Sequence, residues 1–183
     1  MKKNIRIILL SIILFQTLII PLKIFAQNFT ENEVKAAYIK NICQFVTWPE
    51  NRIVTENFTI VIFGKADINS AIENFFSKIS LNGKPTKIKT ITKIDEIIDC
   101  DILFINATSN ERLAKLLDKA KVKKSLIISD TKGYADYGCH INFYLKNQKV
   151  KFEINLNKAV EDGFYIQSLL LDYAKIIKPK NEK

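Results

Sequence analysis

Histidine and cysteine are scarce in this sequence: 183 residues contain one histidine and three cysteines. A metal site needs several His, Cys or carboxylate ligands at suitable spacing, and the sequence contains no such group. A catalytic triad would need His140 beside a nucleophile, and the G-x-S-x-G motif that presents such a serine is missing. His140 opens a predicted strand on the side opposite Ile141, so we expect it at an exposed or edge position. The sequence therefore predicts no catalytic residues, no metal and no cofactor.

Glycine-rich phosphate loops are also missing. Neither G-x-G-x-x-G nor the P-loop lysine signature occurs anywhere in the sequence. There is no internal repeat, no low-complexity segment and no linker of the kind that separates two domains. These absences argue against a nucleotide held by a glycine loop and against a second domain.

The first 26 residues have the parts of a secretory signal. Three basic residues precede an almost wholly apolar run at residues 7–22, and Ala26 precedes a polar stretch. The run is nearly long enough for a membrane anchor, but Pro21 and the small Ala26 favour cleavage. We therefore expect residues 1–26 to be a signal peptide and residues 27–183 to form one exported domain.

The charge of the chain is +9, and cleavage after Ala26 would remove four basic residues and no acidic one, leaving +5. Lysine and glutamate are interspersed along the rest of the chain, apart from short clusters such as residues 121–124. This pattern is typical of a solvated, lysine-rich surface. Because an exported protein meets little nucleic acid, we expect no nucleic-acid partner.

Short apolar segments alternate with amphipathic ones through the middle of the chain. This alternation implies parallel strands joined by crossover helices, which form an open twisted sheet with helices on both faces. We predict a single three-layer α/β domain with a mostly parallel sheet in the flavodoxin-like order 2-1-3-4-5, ending in an antiparallel C-terminal hairpin and a helix. The predicted strands are residues 58–63, 87–92, 101–105 and 125–129, and the predicted crossover helices are residues 67–80 and 109–121.

The hairpin is predicted from strict alternation of apolar and polar residues on both sides of residues 146–149. A two-stranded ribbon is marginally stable alone, so its apolar face needs cover. A stripe at helical spacing follows it, and we expect this terminal helix to cover the hairpin. The stripe consists of Ile166, Leu169, Leu170, Tyr173, Ile176 and Ile177.

Glu153 and Asn155 lie on the polar side of the second hairpin strand, out of phase with Phe152 and Ile154. If a further element covers that side, Glu153 must find a cation or backbone amides, because an unpaired buried carboxylate is costly. We interpret Glu153 and Asn155 as a structural hydrogen-bond hub, with contact to a partner protein as the alternative.

The cysteines Cys43, Cys100 and Cys139 are odd in number, which permits at most one internal disulfide. We expect buried thiols that serve packing. In the predicted sheet, Cys100 and Cys139 begin strands that have another strand between them. Strands two apart are separated by about 9–10 Å, and a disulfide needs Cα atoms closer than about 7 Å. A Cys100–Cys139 bond is therefore not expected.

Polar residues follow the carboxyl ends of the predicted parallel strands, where open sheets bind ligands. Asn106, Ser109, Asp130 and Thr131 form a candidate ligand pocket at this edge. The same residue types also serve as helix caps and turn residues, so a structural role is the alternative.

The segments before and after the sheet carry large apolar residues. Residues 30–33 form a capping box that begins a helix, and Pro49 ends it. Residues 34–48 and 163–177 carry more large apolar side chains than one sheet face needs, so they are a candidate surface for self-association or partner docking. The candidate aromatic anchors are Tyr38, Phe45, Trp48 and Phe164. Trp48 has a second interpretation, which is packing in its own core.

Several motifs resemble those of the YfiR family of exported bacterial regulatory proteins. The first two are Val34-Lys-Ala-Ala-Tyr-Ile39 and Phe45-Val-x-Trp-Pro49, and Cys100-x-Ile-Leu-Phe-Ile105 lies in the middle of the chain. The remainder are Gly138-x-x-Ile-Asn-Phe143, Val150-Lys-Phe-Glu-Ile-Asn155, Ala159 and Gly163-x-x-Ile-x-Ser168-x-Leu170. Their order and spacing carry the resemblance over residues 33–177.

The resemblance implies a periplasmic regulator that is not an enzyme. It would bind the periplasmic part of an inner-membrane signalling protein, a diguanylate cyclase or a sensor kinase, and would touch the membrane only through that partner. A homodimer is implied as well. Some relatives carry cysteine pairs in the second half, and Cys139 has no such partner in its hairpin. The alternatives are a periplasmic small-ligand sensor or carrier that uses the strand-end pocket and, thirdly, an uncharacterised hydrolase.

Overall fold

A computed structural model describes residues 29–177 of the chain. The predicted signal peptide at residues 1–26 lies outside the described residues. Within them, no helix has both the length and the apolar character needed to cross a membrane.

Helices and strands alternate along the chain. The helices are α1 (Glu31–Phe45), α2 (Ile68–Phe76), α3 (Asn110–Lys123), α4 (Leu156–Glu161) and α5 (Ser168–Tyr173), with a short 3-10 helix at Ile94–Glu96. The strands are β1 (Val46–Thr47), β2 (Phe58–Phe63), β3 (Ser80–Leu81), β4 (Lys84–Ile91), β5 (Ile102–Ile105), β6 (Leu126–Ser129), β7 (Ile141–Lys146), β8 (Lys149–Ile154), β9 (Tyr165–Ile166) and β10 (Lys175–Ile176).

The main sheet has eight strands in the order β10-β8-β7-β6-β5-β2-β4-β3. Its five central strands, β4-β2-β5-β6-β7, are parallel and have the predicted order 2-1-3-4-5. The hairpin strand β8 is antiparallel to β7, and β1 and β9 form a separate antiparallel ribbon. The predicted α/β fold class and its flavodoxin-like strand order are confirmed.

The central strands are apolar on both faces, and each face has its own core. Alternate residues of β2, such as Ile60 and Ile62, pack with α1 and α2, whereas Val61 and Phe63 pack with α3. This division follows from the period of two along a strand, which sends neighbouring side chains to opposite faces. The result is the predicted three layers, with helices on both sides of the sheet.

Helix α1 begins where the capping box predicts. The Thr30 hydroxyl accepts a hydrogen bond from the Glu33 amide at 3.3 Å, and the Glu33 carboxylate accepts one from the Thr30 amide at 2.8 Å. Further along the helix, the Tyr38 ring lies 6.3 Å from the Phe143 ring and 5.7 Å from the Phe152 ring, centre to centre. Helix α1 therefore covers the apolar face of the hairpin.

The predicted terminal helix is present as α5 but is shorter than its stripe, and the hairpin is covered by α1. The chain after β8 instead forms α4, β9, the six-residue helix α5 and β10. Gly163, with a φ of +91°, ends the α4 turn, and the extended backbone of Ala174 ends α5. The amide of Ile177 then donates to the Ile154 carbonyl at 2.8 Å, so the exposed edge of β8 gains a parallel partner. Backbone pairing at this edge overrides the helical spacing of the side chains.

All three cysteines are buried free thiols. Cys100 precedes β5 and Cys139 precedes β7, and β6 lies between these strands. Burial raises the pKa of the Cys43 and Cys139 thiols to about 12 and that of Cys100 to about 11. The reactive thiolate is therefore disfavoured at all three positions.

We expect the native protein to resist alkylation by iodoacetamide at neutral pH and all three cysteines to react after denaturation. Peptide mapping without reductant should recover three unlinked cysteine peptides. A linked Cys100–Cys139 pair would contradict the strand order, and fast labelling of the native protein would contradict the burial.

Candidate functional site

Two of the predicted aromatic anchors, Trp48 and Phe164, lie in the core and are only 7% and 3% exposed. The Trp48 indole N–H donates to the Asp101 carbonyl at 2.9 Å, and its ring packs edge-on against Phe58 at 5.6 Å. The Phe164 ring packs against Trp48 and against His140. Their assignment as partner anchors is therefore corrected: both aromatics stabilise the domain itself, since an anchor must be free to enter a partner.

The other two anchors, Tyr38 and Phe45, are half-buried and pack against the core. The Phe45 carbonyl also accepts a hydrogen bond from the Gln167 amide at 2.9 Å, which joins the end of α1 to the start of α5. The predicted surface at residues 163–177 does contain exposed large apolar residues, but they are not the ones predicted as anchors.

Tyr165, Leu169 and Tyr173 together form what we call the C-terminal surface. Their exposed fractions are 64%, 50% and 72%. Leu169 and Tyr173 are four residues apart on α5 and so share one face of that helix. Leu170, on the other side of α5, is buried in the core and fixes the helix in place. The C-terminal surface is thus an exposed apolar face on a packed support.

The four residues of the predicted strand-end pocket do not meet in one cavity. Ser109 caps α3 by accepting from the Arg112 amide, and the Thr131 amide donates to the Ser129 hydroxyl. Asn106 is buried at the end of β5, where its amide nitrogen donates to the Asn69 side-chain oxygen at 3.0 Å. Its own side-chain oxygen accepts no hydrogen bond from the described residues. Three of the four residues therefore have structural contacts outside the cavity that Asp130 lines.

The fourth residue, Asp130, lines a cavity of about 630 Å³ on the β7–β8 side of the sheet. Its carboxylate accepts from the buried Lys35 ammonium at 2.9 Å, and Lys35 also pairs with Glu31 at 2.5 Å. The cavity is further lined by residues of β7 and β8 and by Lys175 of β10. Lys35 was missed because its partner Asp130 lies 95 residues away in the sequence.

Glu153 and Asn155 both hold hydrogen bonds between elements. The Glu153 carboxylate accepts from the Lys175 ammonium at 2.9 Å and from the Asn142 amide at 3.3 Å. The Asn155 side chain donates to the Ala135 carbonyl at 2.8 Å and caps α4 by accepting from the Lys158 amide at 3.0 Å. These contacts join β8 to β10, to α4 and to the loop after β6.

His140 is fully buried, so the predicted exposed or edge position is wrong. Its Nδ1 accepts from the Ile127 amide at 3.0 Å, which requires the proton to be on Nε2 and to point at the Asp162 carboxylate, 3.0 Å away. The alternation of the strand could not reveal this, because the covering residues Asp162 and Phe164 come from a later segment. The imidazole serves as a neutral connection between β6 and the end of α4.

The fold and the site together define a class of protein. It is a three-layer α/β protein with a charged cavity and an exposed apolar surface, and residues 29–177 hold no group of three or more His, Cys, Asp or Glu that could bind a metal ion. The chain belongs to the YfiR/HmsC-like family, whose model matches residues 32–175, and the resemblance carried by the sequence motifs is confirmed. This family is regulatory rather than catalytic and is typically periplasmic. No curated protein matches the chain.

Two solved structures are similar in fold. The first is the ABC domain in complex with L-Trp from Streptococcus pneumoniae, with a TM-score of 0.54 and 14% identity, covering 80% of this chain and 62% of that chain. The second is a conserved domain protein from Vibrio cholerae O1 biovar El Tor strain N16961, with a TM-score of 0.59 and 13% identity, covering 82% and 61%. This chain spans about three fifths of the length of both structures. At such low identity the likeness shows the fold alone.

Replacing Trp48 by Ala should destabilise the domain by roughly 3–5 kcal/mol, the usual cost of removing a large buried aromatic side chain. Trp48→Phe keeps much of the packing and should cost clearly less. Urea unfolding followed by circular dichroism measures both. A Trp48→Ala variant with wild-type stability would contradict the core position of this residue.

The stability of the protein should fall as the pH is lowered from 7 to 5. Burial lowers the pKa of His140, which the neighbouring Asp162 only partly offsets. The unfolded chain takes up a proton near the usual pKa of 6.5, whereas the folded chain does so only at lower pH. Between these two pKa values the unfolded state binds more protons than the folded state. The free energy of unfolding therefore decreases by up to about 1.4 kcal/mol for each pH unit in this range.

His140→Gln provides the control, because Gln does not titrate and its amide can accept from Ile127 and donate to Asp162. The variant should be less stable at pH 7, but its urea midpoint should change much less between pH 7 and pH 5. A second loss should follow in more acidic solution. Burial alone would raise the pKa of Asp162, but hydrogen bonds from His140 and Lys158 hold it at about 2. The contribution of the Asp162 carboxylate to the stability of the fold is therefore lost as the pH falls from 3.8 through about 2. Equal slopes for the two proteins between pH 7 and pH 5 would rule out His140 as the cause.

Proposed function

We propose that this protein is an exported regulator that binds the periplasmic part of an inner-membrane signalling protein, a diguanylate cyclase or a sensor kinase, and controls it by direct contact. Membership of a regulatory family supports this function. The observation that carries it is the C-terminal surface, where Tyr165, Leu169 and Tyr173 are each at least half exposed.

The composition of the C-terminal surface suits a protein partner. Tyrosine is enriched among the residues that dominate binding energy, because its ring supplies a large contact area with little loss of side-chain freedom. The support beneath it is fixed by the buried Leu170 and by the hydrogen bond from Gln167 to the Phe45 carbonyl. A surface that is already ordered loses little entropy on binding. The homodimer that the resemblance implies is part of the same proposal.

Leu169→Asp combined with Tyr173→Asp should abolish capture of the partner. Each substitution places a charge where apolar contact is needed, so the affinity should fall by at least a hundredfold, since two desolvated carboxylates oppose binding. Val122→Asp is the matched control, because Val122 is 82% exposed and lies on α3, which packs on the opposite face of the sheet from α1. Circular dichroism should show both variants folded.

The measurement is crosslinking in intact cells, followed by mass spectrometry and an assay of cellular cyclic di-GMP. The proposal expects an inner-membrane protein with a cytoplasmic cyclase or kinase domain, captured by the wild type and by Val122→Asp but not by the double variant. Equal capture by all three proteins would remove the C-terminal surface from the interface. Light scattering on each variant reports whether this surface holds a second copy of the chain instead.

A further inference from the structure

The cavity beside β7 and β8 contains groups that the docking function does not use. It has a volume of about 630 Å³, which is in the range of small-molecule sites. Its charged walls include Glu31, Lys35 and Asp130 on one side and Glu153 and Lys175 on the other. Lys35 is paired with both of its acidic neighbours, whereas Glu153 has a single cation partner, Lys175.

Asn142 lines this cavity and carries a polar atom with no partner. The residue is only 1% exposed, and its side-chain oxygen accepts no hydrogen bond from any residue of the described part of the chain. Its amide nitrogen donates to the Glu153 carboxylate at 3.3 Å. Because an ionised carboxylate only accepts hydrogen bonds, the amide must present its nitrogen to Glu153, and this fixes its orientation. The oxygen of Asn142 therefore lacks a donor, which is unfavourable for a buried polar atom.

The contacts of the Lys175 ammonium indicate which kind of chemical group binds at the Glu153 end of the cavity. Its ammonium lies 2.9 Å from the Glu153 carboxylate and 5.9 Å from the centre of the Tyr144 ring. The contact with Glu153 raises the pKa of Lys175. The side chain is nonetheless 60% exposed and stands on the two-residue edge strand β10, so moving it into solvent breaks few contacts. Its ammonium has no hydrogen bond to the Asn142 oxygen.

We propose that this cavity binds a small ligand that carries one primary ammonium group on a short apolar body. The Asn142 oxygen is closed to solvent in this structure. In the proposed complex the Lys175 side chain moves away, and the ligand ammonium takes its place at Glu153 and donates a second hydrogen bond to the Asn142 oxygen. The apolar body lies along Tyr144 and Leu145, which also line the cavity. An anionic group is disfavoured at this end because Glu153 would repel it. A neutral hydroxyl satisfies Asn142 but gains no charge interaction with Glu153.

The remaining charges of the cavity are compatible with a cation. Lys132 and Asp136 line it, and both are exposed to solvent. With Lys175 displaced, the four acidic side chains that line the cavity face only two lysines, Lys35 and Lys132, so the cavity has two net negative charges. An ammonium that takes the place of Lys175 restores the charge lost with that side chain.

The test uses n-butylammonium, which reproduces the end of a lysine side chain, in an NMR titration of the full-length protein. The wild type should bind it saturably, with shifts centred on the backbone amides of Asn142 and Glu153, and 1-butanol should cause no such shifts. Asn142→Leu should weaken binding about tenfold or more, because the hydrogen bond to a charged group is lost. Thr86→Val is the matched control: Thr86 also has a buried oxygen without a partner, but it lies on β4, four strands away from β7.

Lys175→Ala should bind n-butylammonium more tightly than the wild type, because no side chain has to be displaced. Glu153→Gln, which keeps a hydrogen-bonding group but removes the charge, should weaken binding and replaces Asn142→Leu if that variant does not fold. Binding to Lys175→Ala without binding to the wild type would overturn the proposal, since the amine would then only fill the space of the missing side chain. Wild-type affinity in Asn142→Leu, or in Glu153→Gln, would overturn it as well. Because the isolated protein is titrated, the result does not depend on the proposed membrane partner.

Discussion

The five central strands are apolar on both faces, and the rest of the domain depends on covering them. Each strand turns alternate side chains to opposite faces, so neither face can be left to water without exposing Ile, Val and Phe side chains. Helices α1 and α2 cover one face and α3 covers the other. Two of these helices, α2 and α3, are also crossovers, which connect β2 to β4 by way of β3 and β5 to β6. Polar side chains lie mainly at the carboxyl ends of the strands and at the edge of the hairpin, which the helices do not cover.

Several buried polar groups of this apolar domain have partners that join elements distant in sequence. The Asp101 carbonyl accepts from the indole of Trp48, and its carboxylate pairs with Arg52 and accepts from the Thr59 amide at 2.7 Å. His140 similarly joins β6 to Asp162. Such contacts specify which segments meet, since a mispaired arrangement would leave a buried polar group unsatisfied at a cost of roughly 1–3 kcal/mol. The side-chain oxygens of Thr86, Asn106 and Asn142 depart from this pattern within the described residues. Of these three residues, Asn142 is the one that lines the cavity beside β7 and β8.

The sequence predicted the parts of the structure that local patterns determine. The capping box at Thr30, the cap at Ser109 and the apolar strands each depend on neighbouring residues, and the strand order follows from the crossovers. The errors have a different origin. His140 and the residues after Gly163 were assigned from their own segments, but their positions are decided by partners 22 residues away. For Trp48 the core interpretation is the correct one, and its partner Asp101 lies 53 residues away. Sequence spacing cannot reveal that β8 offers a free edge to Lys175 and Ile176.

The pairing of β10 with β8 connects the two candidate sites. Helix α5, which carries Leu169 and Tyr173, ends directly before β10, and Lys175 lies opposite Glu153 in the register of the two strands. The position of the C-terminal surface is therefore maintained partly by the same side-chain contact that occupies the end of the cavity. The segment is held at the sheet edge by backbone pairing with β8, including the hydrogen bond from the Ile177 amide to the Ile154 carbonyl, and the exposed Lys175–Glu153 pair adds a weaker contact. The same short segment thus follows the apolar face of α5 directly and places the Lys175 side chain at the charged end of the cavity. The two sites are therefore physically connected.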